Sequence, residues 1–415
     1  MKKILVVEDS AIVIKVLRHI LGQSPLLQPL YADTFAAAQA IVEHEGEHLF
    51  AAIVDLNLPD APNGEVVDYI LSRKLPTIVL TGSLDNDRRR QLLAKGIVDY
   101  VSKEGRYSYT YVSKLLHRLI RNENIPILVV DDSTTGRKCV SALLRLHRYQ
   151  VFEAQDGMQA IQCVLDNPQI KLMITDYNMP KMNGCDLVQN IRGKYEKTDL
   201  VIIGLSSDGE ESLSARFIKS GANDFLRKPF NQEEFFCRIS HNVDTLEMIE
   251  QLRDAANRDF YTGAYNRHYF FAQGKLLLEQ AQTKNIPVAA VALDLDNFKE
   301  INHHYGNEMG DCVMQQVAVK LMALCDRFLV ARADGQEFYL LLVGLDNDRA
   351  CAFIERVRQI VSGEPLHINN NNISLTFSAG VSNQASQDFD GLMLRASECL
   401  DRAKEAGGDL VFGDE

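Results

Sequence analysis

Short runs of aliphatic and β-branched residues punctuate the first half of the chain, and between them apolar residues recur at helical spacing. Ile4-Leu5-Val6-Val7, Ala52-Ile53-Val54 and Ile78-Val79-Leu80 read as strands, whereas Ile12 to Leu21 and Thr135 to Leu146 read as helices. Such alternation predicts a parallel sheet with helices on both faces, an α/β arrangement. The pattern changes at Asn231-Gln232-Glu233-Glu234, a capping-box sequence that opens a long helix. Apolar residues follow at Ile239, Val243, Leu246, Ile249, Leu252 and Ala256. The first three turns suit packing on the preceding sheet, and further on the narrow stripe suggests a helix-to-helix seam, as in a parallel dimer stalk or coiled coil. Further on come an apolar strand from Pro287 to Leu295, a hairpin from Val330 to Leu342 and a strand from Ile373 to Val381. A last helix carries Ala396, Leu400, Ala403 and Lys404.

The first half repeats itself. Ile4 to Ser10 recurs as Ile127 to Ser133, Ala52 to Pro59 as Leu172 to Pro180, Ile78 to Gly82 as Ile202 to Ser206, and Asp99 to Lys103 as Asp224 to Lys228. An interval of 121 residues (Asp55 to Asp176) to 125 (Lys103 to Lys228) is too long for a solenoid and right for tandem domains. The expected division is 1–122 and 123–240, then a helical linker over 241–258 and a third domain over 259–415. In every copy the polar residues fall where a strand ends, and in doubly wound sheets that edge is the binding crevice. They are Glu8, Asp9, Asp55, Thr81 and Lys103, then Asp131, Asp132, Asp176, Ser206 and Lys228.

Composition narrows the picture. With 46% hydrophobic and 24% charged residues in 415, the chain is globular and too long for one core. A net charge of −12 argues against a broad nucleic-acid surface, and neither a basic helix nor a helix-turn-helix pattern suggests DNA binding. No apolar run approaches the ~20 residues of a membrane span. The apolar run after Met1-Lys2-Lys3 is too short for a signal-peptide core. Eight cysteines, without C-x-x-C pairs and beginning only at Cys139, suit reduced thiols and a cytoplasmic location.

Three carboxylates crowded at one strand edge repel one another unless a cation lies between them, and an all-oxygen set suits Mg²⁺. The most advanced carboxylate can then act as a nucleophile towards a phosphoryl group, with the hydroxyl and lysine receiving its oxygens. One acid pair after a strand is ordinarily a turn or cap; five matched positions occurring twice are not.

Each half resembles a response-regulator receiver domain, together over roughly residues 1 to 245. The resemblance implies doubly wound, parallel, five-stranded sheets with Asp55 and Asp176 as phosphoacceptors. It implies Mg²⁺ held by Glu8 and Asp9, and by Asp131 and Asp132, with the carbonyls of Asn57 and Asn178. Thr81 and Ser206 become switch hydroxyls, Tyr100 and Phe225 aromatic switches, and Lys103 and Lys228 the paired lysines. It also implies a histidine kinase or phosphotransfer protein as partner. The copies differ: Lys228 precedes Pro229, but Lys103 precedes Glu104-Gly105, so Lys103 is expected to aim differently. Gly184 follows its aspartate by eight residues, Gly64 by nine.

From about 259 to 412 the chain resembles the GGDEF family of diguanylate cyclases, on three motifs in order. These are Asp259 to Arg267, Asp294-Leu295-Asp296 with Asn302 and Gly310-Asp311, and the hairpin Arg332-Ala333-Asp334-Gly335-Gln336-Glu337-Phe338. The family has a central, mostly antiparallel sheet with flanking helices, an α+β fold, and joins two GTP molecules across a dimer into cyclic di-GMP. By resemblance Asp294 and the Leu295 carbonyl bind metal, Asn302 and Asp311 read guanine, and Lys299 and Lys404 meet phosphates. A homodimer is implied, with GTP or another guanine nucleotide as ligand.

The departures are specific. Asp334 replaces the first glycine of the signature loop, bringing a charge towards a triphosphate. Gln336 replaces a metal-binding acid and loses its charge. Gly408-Asp409 replaces a phosphate-binding Arg-Asn, and the Arg-x-x-Asp product-inhibition motif falls on Cys325 and Phe328. If a strand ran through Asp334 and Gln336 they would share a face, and Asp334 could lend the missing charge. The resulting expectation is a phosphorylation-controlled regulator whose third domain binds a guanine nucleotide or a protein with little or no catalysis. The alternative is an active cyclase.

Overall fold

The computed structural model describes residues 1–82, 86–103, 105–207, 212–368, 371–383 and 388–414, with the side chains of Asn86 and Arg106 left aside. Glu104, which follows Lys103, therefore lies outside the described residues. Two compact units divide at Glu247 and Met248. The helix Gln232–Asn257 runs without a break across that point and includes residues 241–257.

The first unit holds two parallel sheets. In one, β1 (Lys2–Val7), β2 (Leu27–Ala32), β3 (Leu49–Asp55), β4 (Thr77–Thr81) and β5 (Asp99–Ser102) lie in the order β2-β1-β3-β4-β5. In the other, β6 (Pro126–Val130), β7 (Gln150–Ala154), β8 (Leu172–Asp176), β9 (Val201–Ser206) and β10 (Asp224–Arg227) repeat that order as β7-β6-β8-β9-β10. Alternate side chains feed opposite layers, as a two-sided sheet requires. Ile4, Val6, Ile53 and Ile78 pack with Leu17, Leu21, Val112 and Leu116 of two helices; Leu5, Val7, Val54 and Val79 pack with Val42, Val66 and Ile70 on the other face. Each such fully buried aliphatic side chain contributes about 1.5–3 kcal/mol.

Register carries the chemistry to one edge. Val7 is paired with Val54 and Asp55 with Leu80, so Glu8, Asp55 and Thr81 emerge side by side, and Lys103 follows the Thr81–Ser102 pair. The second sheet does the same with Val130 beside Thr175 and Asp176 beside Leu205.

The second unit is built on β11 (Tyr265–Asn266), β12 (Val288–Leu295), β13 (Leu329–Arg332) and β14 (Glu337–Val343). The ribbon β15 (Leu366–Ile368) and β16 (Asn371–Ile373) follows, then β17 (Phe377–Ser382) and β18 (Val411–Phe412). The main sheet has the order β11-β13-β14-β12-β17-β18, antiparallel through its three central pairings and parallel at both edges. One expectation is corrected here. The strand expected from Ile373 to Val381 is two strands, because Asn371–Ile373 folds back on β15 while Phe377 onward joins β12. Gly380 lets the helix Phe389–Glu405 lie directly on β17, since a Cβ there would sit 2.1 Å from the carbonyl of Ala396. Among the described residues no helix is long and apolar enough to cross a membrane.

Candidate functional sites

In the first receiver-like sheet, Glu8 and Asp55 are buried and Asp9 is exposed. Their carboxylate oxygens converge within 4.8 Å, a donor set that fits a hard divalent cation. Lys103 closes the group: its Nζ is 2.9 Å from Glu8 Oε1 and 2.7 Å from Asp55 Oδ2. Burial pushes the Glu8 carboxyl up against the opposing pull of Lys103. Burial works against the Lys103 ammonium too, but hydrogen bonds to Asp55 and Glu8 outweigh it and its pKa is raised. Thr81 is buried at the end of β4. The Asn57 amide donates to Asp55 Oδ1 at 3.3 Å, wrapping the loop around the carboxylate.

The second copy repeats the lysine and asparagine contacts. Lys228 Nζ lies 2.8 Å from Asp131 Oδ2 and 2.6 Å from Asp176 Oδ1, and the Asn178 amide donates to Asp176 Oδ2 at 2.8 Å. Burial raises Asp176, with Lys228 opposing. Asp132 is exposed and Ser206 buried. Lys228–Pro229 is a cis peptide. Lys103 lacks the following proline yet bridges the matching pair of carboxylates, so its expected difference in aim is not found. Gly184 presses against the other side of the site: a Cβ there would fall 2.4 Å from the Asp176 carbonyl oxygen and 2.9 Å from the Phe217 ring. Phe225 packs on that ring, centroids 5.5 Å apart.

In the second unit Asp294 is buried near the end of β12, paired with Glu337 on one side and Ser378 on the other. Lys404 extends from the helix Phe389–Glu405 to place Nζ 3.1 Å from Asp294 Oδ2. Gln336 donates its side-chain N–H to Asp294 Oδ1 at 3.4 Å. Burial, then the charge of Asp294, raises the Glu337 carboxyl.

Between β13 and β14 the chain turns at Gly335, with φ of 57°, and the Glu337 amide donates to the Asp334 carbonyl at 3.0 Å. A positive φ at the first central residue followed by an ordinary one suits a type II′ hairpin, for which glycine is the natural residue. Asp334 precedes that position and adopts no left-handed backbone. Its carboxylate pairs with Arg267 at 2.6 Å, whereas Gln336 meets Asp294. The shared strand face does not exist because both residues belong to the turn, so Asp334 lends Asp294 no charge.

Asn302 is half-buried, its Oδ1 resting against Gly310, where a Cβ would be 1.8 Å away; Asp311 and Lys299 are exposed. Among the described residues no hydrogen bond or ion pair joins these three to the Asp294 group. Leu295 is buried beside Asp294. Cys325 and Phe328 lie between the helix Asn307–Leu324 and β13, and burial pushes the Cys325 thiol up to about 12.

Several constraining contacts lay beyond sequence reasoning. Asp296 accepts hydrogen bonds from Thr376 Oγ1 (2.7 Å), Ser378 Oγ (2.7 Å) and the Asp409 amide (3.0 Å). Arg332 reaches Asp259 at 3.0 Å and the Gly335 carbonyl at 2.9 Å. Arg358 binds Asp409 and Glu355. The partners in these pairs are far apart in the chain or carry no distinguishing spacing.

Two lysine-closed carboxylate sites lie at the strand ends of doubly wound parallel sheets, and comparison with known proteins gives the family. The response regulator receiver domain model matches residues 4–108 and 127–240, and the chain belongs to that family. The model described as diguanylate cyclase, GGDEF domain, matches 256–409. The chain is thus a response regulator with two receiver domains and a GGDEF output domain. It is 26% identical to the response regulator PleD of Caulobacter vibrioides over 299 residues, 69% of this chain and 65% of that one. The match therefore spans under two thirds of that relative. A chemotaxis protein CheY homolog of Campylobacter jejuni is 37% identical over 108 residues, covering 26% of this chain and 83% of that protein. A crystal structure of a two-component system response regulator/GGDEF domain protein is 42% identical, with TM-score 0.54, covering 60% of this chain and all of that one.

Proposed function

We propose that both receivers accept phosphoryl groups, on Asp55 and Asp176, and that they govern a GGDEF domain that has lost most or all cyclase activity. A histidine kinase or phosphotransfer protein is the donor. The domain boundaries that go with this reading are those expected above, 1–122, 123–240, 241–258 and 259–415.

In each receiver the buried aspartate is the nucleophile and the lysine holds the oxygens of the transferred group. Glu8 and Asp9 beside Asp55, and Asp131 and Asp132 in the second receiver, with the carbonyls of Asn57 and Asn178, would hold Mg²⁺, which would supply positive charge facing the anionic donor. The neighbouring asparagine amides orient the attacking carboxylates. Thr81 and Ser206 stand at the next strand end, in position to follow the new phosphoryl group, with Tyr100 and Phe225 as aromatic switches.

The loss of cyclase activity is supported by one observation: at position 336 Asp294 is met by the N–H end of an amide rather than by a carboxylate, with the ammonium of Lys404 on its other oxygen. A second carboxylate would add the negative charge that favours a hard cation, and Gln336 supplies only a neutral amide whose donor end faces Asp294. The Asp294 group is therefore a poor fit for the metal that the family uses, and no step is routed through one. Asn302 and Asp311 remain able to pair with a guanine edge, and Lys299 remains free to approach phosphate, which supports nucleotide binding without turnover. The decisive assay incubates the beryllofluoride-activated chain with GTP and Mg²⁺ and looks for cyclic di-GMP. None is expected from the natural sequence, with activity appearing in the Asp334→Gly, Gln336→Asp, Gly408→Arg variant. Turnover by the natural sequence overturns the reading in favour of an active cyclase.

A further inference from the structure

The two receivers enclose a cleft of about 1260 Å³. The first contributes the end of the helix Ala11–Gly22, the loop through Ser24 and Leu26, and the helix Gly105–Asn122; the second contributes the first half of Gln232–Asn257. None of the carboxylates or lysines of the phosphoacceptor sites lines it. Ligand clefts are ordinarily about 300–1,000 Å³, so the space is ample for a small organic molecule. Ile20, Leu115 and Phe236 give it apolar wall, and Leu26 and Tyr111 line it while staying exposed. His147 lines it too and stacks on Phe236. Although His147 is only 5% exposed, its Nε2 has no hydrogen-bond partner. A buried polar atom left unpaired is costly, and a ligand atom that meets it relieves that cost.

Charge decides what kind of molecule fits. The carboxylates that line the cleft are already engaged. Asp99 accepts from Tyr111 Oη at 2.6 Å, Glu233 accepts from Tyr100 Oη at 2.6 Å beside its ion pair with Arg89, and Asp244 pairs with Arg118. Arg118 and Arg121 both reach Glu247, and His117 is hydrogen-bonded to Ser24. Lys114 and His241 remain. Both line the cleft, one from each receiver, and among the described residues neither side chain has a hydrogen bond or ion pair. The residual charge is therefore positive, beside an apolar wall.

We propose that the cleft between the receivers is a binding site for a small amphipathic anion. Its apolar or aromatic body lies against Leu115, Phe236 and Tyr111, and its single carboxylate, sulfonate or phosphate is drawn to Lys114, with His241 on the other receiver's helix. A ligand so placed touches both receivers and stabilises their present packing by mass action. The proposal goes beyond the phosphoacceptor reading and does not depend on it.

The probe is anilinonaphthalene sulfonate, an aromatic body with one sulfonate, titrated by fluorescence into the full chain. Phenylnaphthylamine, the same body without the sulfonate, is the neutral control. Lys114→Glu is expected to weaken the sulfonate about fivefold and to leave the neutral control unchanged, which also shows that the variant is folded. Cys237 is exposed and lines the cleft, whereas Cys139 is exposed outside it. The bound sulfonate should slow alkylation of Cys237 by iodoacetamide and leave Cys139 at its own rate, as read by peptide mass spectrometry. Ser240→Phe fills the cleft and should remove both the binding and the protection. Unchanged sulfonate affinity in Lys114→Glu, or no protection of Cys237, overturns the proposal. A chain that sediments as a dimer, and as a monomer once Ser240→Phe is introduced, shows the cleft to be covered by a second copy and overturns it as well.

Discussion

Gln336 meets Asp294 with the N–H end of its amide, 3.4 Å from Oδ1. A carboxamide oxygen turned towards that carboxylate would be repelled, so the amide's orientation follows from the charge of Asp294. GTP binding by the natural sequence should therefore depend little on Mg²⁺. In Gln336→Asp, Mg²⁺ is expected to tighten binding by about tenfold, equivalent to about 1.4 kcal/mol. Fluorescent guanine-nucleotide titrations with Mg²⁺ or with chelator make the comparison. A steep Mg²⁺ dependence in the natural chain would contradict it.

Acetyl phosphate should label the chain at two aspartates. Asp55→Asn and Asp176→Asn should each abolish labelling of their own receiver, and the double variant should take up none. Phosphate-affinity gels with peptide mapping report this directly. Undiminished incorporation in the double variant would place the acceptors elsewhere.

Gly184→Ala should damage the second receiver selectively. The new methyl has no room between the Asp176 carbonyl and the Phe217 ring, and overpacking of this kind costs about 1–3 kcal/mol. A lower thermal midpoint and weaker Asp176 labelling are expected, with Asp55 labelling retained. Gly22→Ala is the control, because a Cβ there meets nothing within 4 Å.

His147 supplies a pH dependence remote from either phosphoacceptor. Its ring stacks on Phe236 with centroids 3.3 Å apart, and burial lowers its pKa to about 3 against a slight pull from the Val98 backbone. The folded chain keeps it neutral, whereas the unfolded chain protonates it near 6.5. Unfolding therefore takes up a proton at any pH between about 3 and 6.5, and stability falls as pH falls through that window. Lowering the pH from 6.5 to 5 should cost about 2 kcal/mol. His147→Phe should flatten this slope in denaturant titrations of the first unit. An unchanged slope would show that other groups set it.

Much of this architecture was legible beforehand because tandem repeats expose what a single copy hides. Five polar positions recurring at strand ends pointed to both carboxylate groups, and Lys103 joins Glu8 to Asp55 as Lys228 joins Asp131 to Asp176. The failures have definite causes. Ile373 to Val381 looks like one strand because its composition is continuous, but pairing with β15 ends the first piece at Ile373. The conditional shared face of Asp334 and Gln336 needed a strand, and alternation does not hold at the hairpin tip where both lie. Tyr100 was recognised, but its partner Glu233 lies over a hundred residues away on a surface that no periodicity marks.

The helix Gln232–Asn257 has a consequence for how the chain processes its inputs. Its apolar residues are buried with the sheet of Asp176, and its acidic residues are gripped by the domain of Asp55. Two acceptors with nearly identical chemistry give four occupancy states, and a small donor has little basis for choosing between them. On the proposed reading, a helix packed against one site's sheet and held at its surface by the other site's domain would respond to the combination. In that sense the chain has the layout of a coincidence detector, with its comparison made before any signal reaches the output domain.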